Sequence, residues 1–331
     1  MDLAHPALSD AERAGLKDAF AAAAIPHWCD EAILAALLQL TPADSAARLV
    51  RLRGLNVVEP FPARGLNAVN VHEAARLALR KAMAADAGER FRALNGRAAA
   101  RFAEDFTPTG RIEWLYHLLG ADPERGAAEC EALDRKWSGA AHPEDRYALA
   151  LALGELESSG LVAGRARVEV LLCVAEARSA RGNTAQLAGT ATEALALAKR
   201  CGHAAGEVRA NSLVGEALLA QGKLAEAQAA FAEVLRISRA LAEQDPGNAR
   251  WQRDLAVACW KLARMEKEMG RVSAAVVLYD EVQRIYAALV KAAPGFVQWA
   301  EEQGWVEREL AEARRLAAPP RDSDSAGKGA A

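Results

Sequence analysis

One segment of this chain occurs twice, and that constrains the fold more than anything else in it. GKLAEAQAAFAEVLRISRALAEQDPGNARW, starting at Gly222, aligns without a gap on GRVSAAVVLYDEVQRIYAALVKAAPGFVQW, starting at Gly270. Ala227 falls on Ala275, Phe231 on Tyr279, Ile237 on Ile285, Leu241 on Leu289, Pro246 on Pro294 and Trp251 on Trp299. A single shift of 48 residues (270 − 222, 299 − 251) accommodates all six pairs. An internal repeat of this length is a supersecondary unit that buries its apolar face on a neighbouring copy. A weaker copy precedes the two. Val174, Ala175, Gly182 and Ala194 fit it, whereas Leu187 and Ala191 replace the small and aromatic residues, and its spacing is 40 (222 − 182).

The spacing inside the unit predicts a helical hairpin. A glycine closes one helix, a small alanine five residues later allows close helix approach, an aromatic four residues further fills the space between helices, and a later proline blocks continuation. Alanine, leucine, arginine and glutamate dominate the 331 residues and aromatics make up only 5%, a bias that favours helix because these side chains lose little rotamer freedom there. The pattern resembles the tetratricopeptide family. Val214, Gly215, Leu218, Gly222, Ala227, Phe231 and Val234 match one hairpin of that family. Leu262, Ala263, Gly270, Ala275, Tyr279 and Val282 match the next, which has Glu266 where an apolar residue is expected. The period exceeds the family's 34-residue unit, so the second helices should run to about 20 residues. The resemblance implies a groove that holds a partner protein or peptide. Helical spacing of Trp305, Val306, Leu310, Ala313 and Leu316 predicts a closing helix over 300–316. Arg209, Asn211, Arg250, Arg253 and Lys261 are expected on exposed faces of the array.

The N-terminal third has a different order. Residues 10–24 and 30–40 read as helices. Thr41-Pro42, with Asp44 in the capping-box position, opens a third helix that stops near Gly54. NVVEPF and NAVNV, joined by PARGL, read as a β-hairpin, and a further amphipathic helix starts at His72. Three helices, a hairpin and a helix describe a winged helix. The string LVRLRGLNVVEPF…VNVHEAARLAL, within residues 8–84, resembles the winged-helix module of STAND-type signalling ATPases, the class that includes NACHT and NB-ARC proteins. In that family a histidine followed by an acid at the start of the last helix contacts the bound nucleotide, and His72-Glu73 occupies the matching position. That role requires an ATPase domain supplied in trans, because the GxxxxGK[ST] string of a P-loop does not occur in this chain.

Other chemistry is sparsely represented. HEAAR puts arginine where a zinc-binding HExxH needs its second histidine, and the five cysteines, Cys29, Cys130, Cys173, Cys201 and Cys259, form no CxxC pair. They are expected to be small core residues of a reducing compartment. No metal, cofactor or catalytic residue is expected, and the protein is not expected to be an enzyme. A net charge of −3 and a pI of about 6.1 weigh against a phosphate-binding role. Arg48, Arg51 and Arg53 on or beside the third helix, with Arg64 at the hairpin tip, are nevertheless the candidate DNA contacts. The first residues, MDLAHPALSDAER, lack the basic region of a signal peptide, and no apolar run approaches the roughly 20 residues of a membrane span. A cytoplasmic protein without membrane contact is expected.

The sequence therefore predicts a mainly all-α chain. A winged-helix-like module with a small β-hairpin occupies 1–84, a helical connector 85–164, repeats with a closing helix 165–316, and a disordered tail 317–331. Its expected role is a protein–protein interaction scaffold of a STAND-like signalling system. The alternatives are a DNA-binding regulator and the C-terminal part of a split or truncated STAND ATPase.

Overall fold

The computed structural model describes residues 8–139 and 143–318. His5, His142 and the tail from residue 319 onward lie outside the described residues. Among the described residues the chain is all-α with one two-stranded sheet, and it divides into two units, Met1–Arg181 and Gly182–Ala331.

The first unit opens with helices α1 (Asp10–Ala23), α2 (Glu31–Leu38) and α3 (Pro42–Leu52). Each start is written in the sequence. Ser9 and Glu12 form a reciprocal capping box on α1, the Asp30 side chain accepts from the Ile33 amide at α2, and Thr41 accepts from the Asp44 amide with Pro42 in the first turn of α3. Strands β1 (Val58–Pro60) and β2 (Val69–Val71) pair antiparallel, Val58 opposite Val71, and a short 3-10 turn at Pro62–Arg64 lies between them. Cys29 adds a bridge to Val69, tying the α1–α2 loop to the hairpin. Helix α4 (Glu73–Asp86) follows, then α5 (Gly88–Phe102), α6 (Pro108–Ala121), α7 (Pro123–Gly139), α8 (Pro143–Ser158) and α9 (Gly164–Ala180). One continuous apolar core runs from Leu16 through Ile33, Leu52, Leu94, Leu115, Leu119, Leu153 and Cys173. No single described helix is long and apolar enough to cross a membrane. The α2–α3 pair passes that test together, but it is bent by 112° and its Ile33, Leu34, Leu37, Leu49 and Leu52 are buried in this core.

The second unit is a run of long helices: α10 (Thr184–Cys201), α11 (Ala204–Ala220), α12 (Leu224–Gln244), α13 (Ala249–Glu268), α14 (Val272–Ala292) and α15 (Val297–Ala317). Each packs on the next. The repeat in sequence is a repeat in space. Helices α12 and α14 both have 21 residues. Ala227 and Ala275 are fully buried, and Phe231 and Tyr279 nearly or fully so. Gly222 and Gly270 close their hairpins with φ of 74° and 76°, a left-handed conformation in which a Cβ would be strained, and Gly182, ahead of α10, has φ of 70°. Asp245 and Ala293, ahead of Pro246 and Pro294, turn the chain out of α12 and α14 with φ of −139° and −138°.

Ion pairs show how the helices are layered. Lys261–Glu216 (2.7 Å) joins α13 to α11, while Arg253–Glu302 (2.6 Å) and Lys267–Glu309 (3.0 Å) join α13 to α15. Arg239–Glu281 (2.9 Å) joins α12 to α14. Odd-numbered helices thus lie side by side in one layer and even-numbered helices in another, which is a helical solenoid. Glu266 breaks the repeat pattern and is buried, because Gln228 donates to it at 2.6 Å and Arg271 at the next turn pairs with it. Asn211 is a correction to the sequence reading. It is buried, and its side chain donates to the Glu207 carbonyl on its own helix. In α15 Val306, Leu310 and Ala313 face inward as expected, but Trp305 and Leu316 are exposed. At the same 48-residue shift the buried Cys259 and Glu266 of α13 become Glu307 and Arg314, both exposed in α15. Arg314 there pairs with Asp280 of α14 at 2.6 Å.

A Cβ placed on Gly215 would lie 2.7 Å from the Phe231 ring, whereas Gly304, inside α15, has open space around it. Gly215→Ala is expected to lower stability by roughly 1–3 kcal/mol through overpacking. Gly304→Ala should raise it by up to about 1 kcal/mol through helix propensity. Urea unfolding followed by circular dichroism measures both; equal effects of the two substitutions would show that Phe231 does not fill the Gly215 notch.

Candidate functional site

The sequence-designated residues fall in two places. In the second unit the repeat signature residues Gly215, Ala227, Phe231, Ala275 and Tyr279 are buried packing positions, while Gly222, Gly270, Pro246 and Pro294 form the turns. Both layers keep solvent-facing residues, Val277 of α14 among them, and one of the two is the layer of α11, α13 and α15. On that layer the Trp260 and Trp305 rings meet at 4.9 Å, with the Arg264 guanidinium 5.0 Å from the Trp260 ring. Trp305 is 42% exposed. Arg253 and Lys261 lie on the same layer, each engaged by a glutamate of a neighbouring helix.

In the first unit the four candidate arginines are not arranged as a free basic face. Arg51 pairs with Glu12 of α1 at 2.8 Å, and Arg53 donates to the Leu66 carbonyl and the Asn67 side chain. Arg64 lies over the Trp28 ring, and Arg48 packs near Gly15. His72 is the N-cap residue of α4. Its backbone amide donates to the Val57 carbonyl at 2.8 Å, its side chain makes no capping bond, and it is exposed.

A cluster that the sequence reading did not single out lies one and two turns further along α4. Arg76 and Arg80 are both buried, and so are Glu113 and His117 of α6 and Asn95 of α5. Arg76 forms a two-pronged ion pair with Glu155 of α8, and the Tyr116 hydroxyl also donates to Glu155. Arg80 donates to the Ile25 carbonyl and places its guanidinium 4.5 Å from the Tyr116 ring centroid. His27, in the α1–α2 loop, stands 2.6 Å by Nδ1 from Glu113 and 3.8 Å by Nε2 from Glu155. His117 Nδ1 is 3.0 Å from the Asn95 side-chain oxygen, and its Nε2 is 3.4 Å from Glu113 without hydrogen-bond alignment. The histidine ring lies parallel to that of Phe102.

This arrangement shifts the titration of its members. Burial pushes the His117 imidazole down to about 4, against the attraction of Glu113. Burial works to raise the Glu113 carboxyl, but the facing His27 and the contacts of both histidines outweigh it and hold it well below the usual carboxylate range. Glu155 is likewise lowered against its burial, chiefly by the hydrogen bond from Arg76. The periodicity signal missed the cluster because Arg76 and Arg80 look like the polar face of an amphipathic helix. The one available hint was their spacing of four residues, which puts both on one face.

No family model matches the sequence, and no curated protein matches it. Among solved structures, BtubC (BKLC) from P. vanneervenii is 14% identical with a TM-score of 0.37, covering 74% of this chain and 99% of that one. PH0952 from Pyrococcus horikoshii, a Signal Transduction ATPase with Numerous Domains (STAND) protein with a tetratricopeptide repeat sensor, is 12% identical with a TM-score of 0.37, covering 91% of this chain and 52% of that one. The chain therefore spans about half the length of PH0952.

Removing one partner of a buried ion pair leaves the other without compensation. Glu155→Gln, which strands Arg76 and its contact with Tyr116, is expected to destabilise the first unit by roughly 3–5 kcal/mol. The exposed pair Arg51–Glu12 should contribute at most about 1 kcal/mol. Thermal melts of Glu155→Gln and Arg51→Gln side by side check the contrast. Similar small losses would mean that the cluster is not a structural anchor.

Proposed function

We propose that this chain is a protein–protein interaction scaffold of a STAND-like signalling system, with tetratricopeptide-type hairpins that hold a partner protein or peptide. The observation that carries this reading is the layer of α11, α13 and α15. Stacked hairpins in matching register present a continuous surface, and that surface carries the exposed Trp305, packed on the half-buried Trp260, beside arginine and lysine side chains. Aromatic and arginine side chains supply most of the binding energy where proteins meet. Recognition here is by fit and burial, with no covalent step.

The N-terminal order of three helices, a hairpin and a helix supports the winged-helix part of the reading. His72, exposed at the head of α4, is accessible to a P-loop ATPase domain on another chain, which is the arrangement of a split or truncated STAND protein. DNA binding through the third helix is the weaker alternative, because Arg51, Arg53 and Arg64 already have partners within the unit. A cytoplasmic location suits the signalling role.

Capture of partners from the native host's extract with the tagged full chain tests the scaffold. Trp305→Ala is expected to weaken retention of a captured partner by about tenfold or more, equivalent to about 1.4 kcal/mol. Its circular dichroism spectrum should be unchanged. Recovery of a P-loop ATPase that is lost on His72→Ala would identify the in-trans arrangement. Undiminished capture by Trp305→Ala would remove the odd-numbered layer as the binding face, and salt-sensitive binding of duplex DNA would favour the regulator instead.

A further inference from the structure

The cluster around His117 is enclosed by every element packed against it, and its charges can be counted. Helix α4 contributes the guanidinium groups of Arg76 and Arg80. Helix α6 contributes Glu113 and the Tyr116 hydroxyl, helix α8 contributes Glu155, helix α5 contributes the neutral Asn95 with Phe91 and Phe102, and the α1–α2 loop contributes His27 and the Ile25 carbonyl. With neutral imidazoles, two positive and two negative charges cancel. A proton added to His117 meets Glu113 Oε2 at 3.4 Å from Nε2, but must share that carboxylate with His27, held at 2.6 Å by its other oxygen, while Glu155 is engaged by Arg76. His117 itself is fully buried, so water cannot take the place of a counter-ion.

We propose that this charge-balanced cluster is an acid-sensitive latch that holds α4 and the α1–α2 loop onto α6 and α8, and that opens when His117 takes up a proton. A histidine kept neutral in the fold, but free to protonate once the fold opens, stabilises the closed form at neutral pH. That stabilisation is lost as pH falls from the ordinary histidine range near 6.5 towards about 4. Lowered carboxylates act in the same direction, because they too must be protonated against the fold as pH falls. Among its described residues the second unit has lowered carboxylates, Glu302 among them, but no buried imidazole, since His203 is half-exposed at the start of α11. Opening is therefore confined to the first unit, and the repeat layer keeps its form while the N-terminal module is freed.

Hydrogen exchange of the full chain, read by mass spectrometry at pH 7.5 and pH 5 and corrected for intrinsic exchange rates, tests the latch. Protection of peptides from α4, α6 and α8 is expected to fall at least tenfold at pH 5, reversibly, while peptides from α12 and α14 keep theirs. His117→Gln, which cannot be protonated, should flatten that response. Equal loss of protection in both units, or none in α4, α6 and α8, overturns the proposal on the wild-type chain alone, whether or not the variant folds. A response that survives in His117→Gln but vanishes in His27→Gln would assign the proton to His27 and overturn it as well.

Discussion

The second unit depends on one steric fit, an aromatic ring seated against a residue with almost no side chain. Phe231 lies so close to Gly215 that a single added methyl would meet it at 2.7 Å. One repeat later Tyr279 is fully buried and Ala263 takes the place of the glycine. Close packing of this kind fixes the distance between the two helices of each hairpin, because interiors tolerate neither voids nor overlap. Fixed hairpins with equal turns then stack in one way. The left-handed glycines at 222 and 270 set the turn, and ion pairs between alternate helices reinforce the layering without supplying much energy.

The first unit solves a different problem. Its helices are joined by a largely apolar core into which charged groups enter in clusters, one where Arg76, Arg80, Glu113, His117 and Glu155 meet and another where Arg146 pairs with Asp134 and Glu176. Buried charges rarely increase stability over an apolar core of the same shape, but they allow only one arrangement of their partners. The first of these clusters therefore specifies how α4 sits on α6 and α8. It also makes that seat dependent on the protonation of a group with no access to solvent.

The capping residues Ser9, Asp30 and Thr41, the hairpin between Val58 and Val71, and the repeat register were all legible, because each rests on local chemistry or on a pattern the chain states twice. Asn211 and Trp305 were misplaced, since helical periodicity tells which residues share a face but not which neighbours cover it. The arginines at 51, 53 and 64 looked like a basic face for the same reason, and Glu12, Asn67 and Trp28, distant in sequence or on other elements, turned out to occupy them.

By itself the sequence determined that the chain is helical, that its C-terminal part is a stack of hairpins, and where the first four helices begin. Those properties follow from spacing, turn residues and side-chain propensity, which act over a few residues or repeat at a fixed shift. Only the tertiary structure decided that Arg76 and Arg80 point inward, that His27 and His117 share one glutamate, and that Trp260 and Trp305 meet on an open layer. These are contacts between residues dozens of positions apart, and their partners are selected by burial and charge balance in three dimensions, for which one-dimensional spacing carries no record.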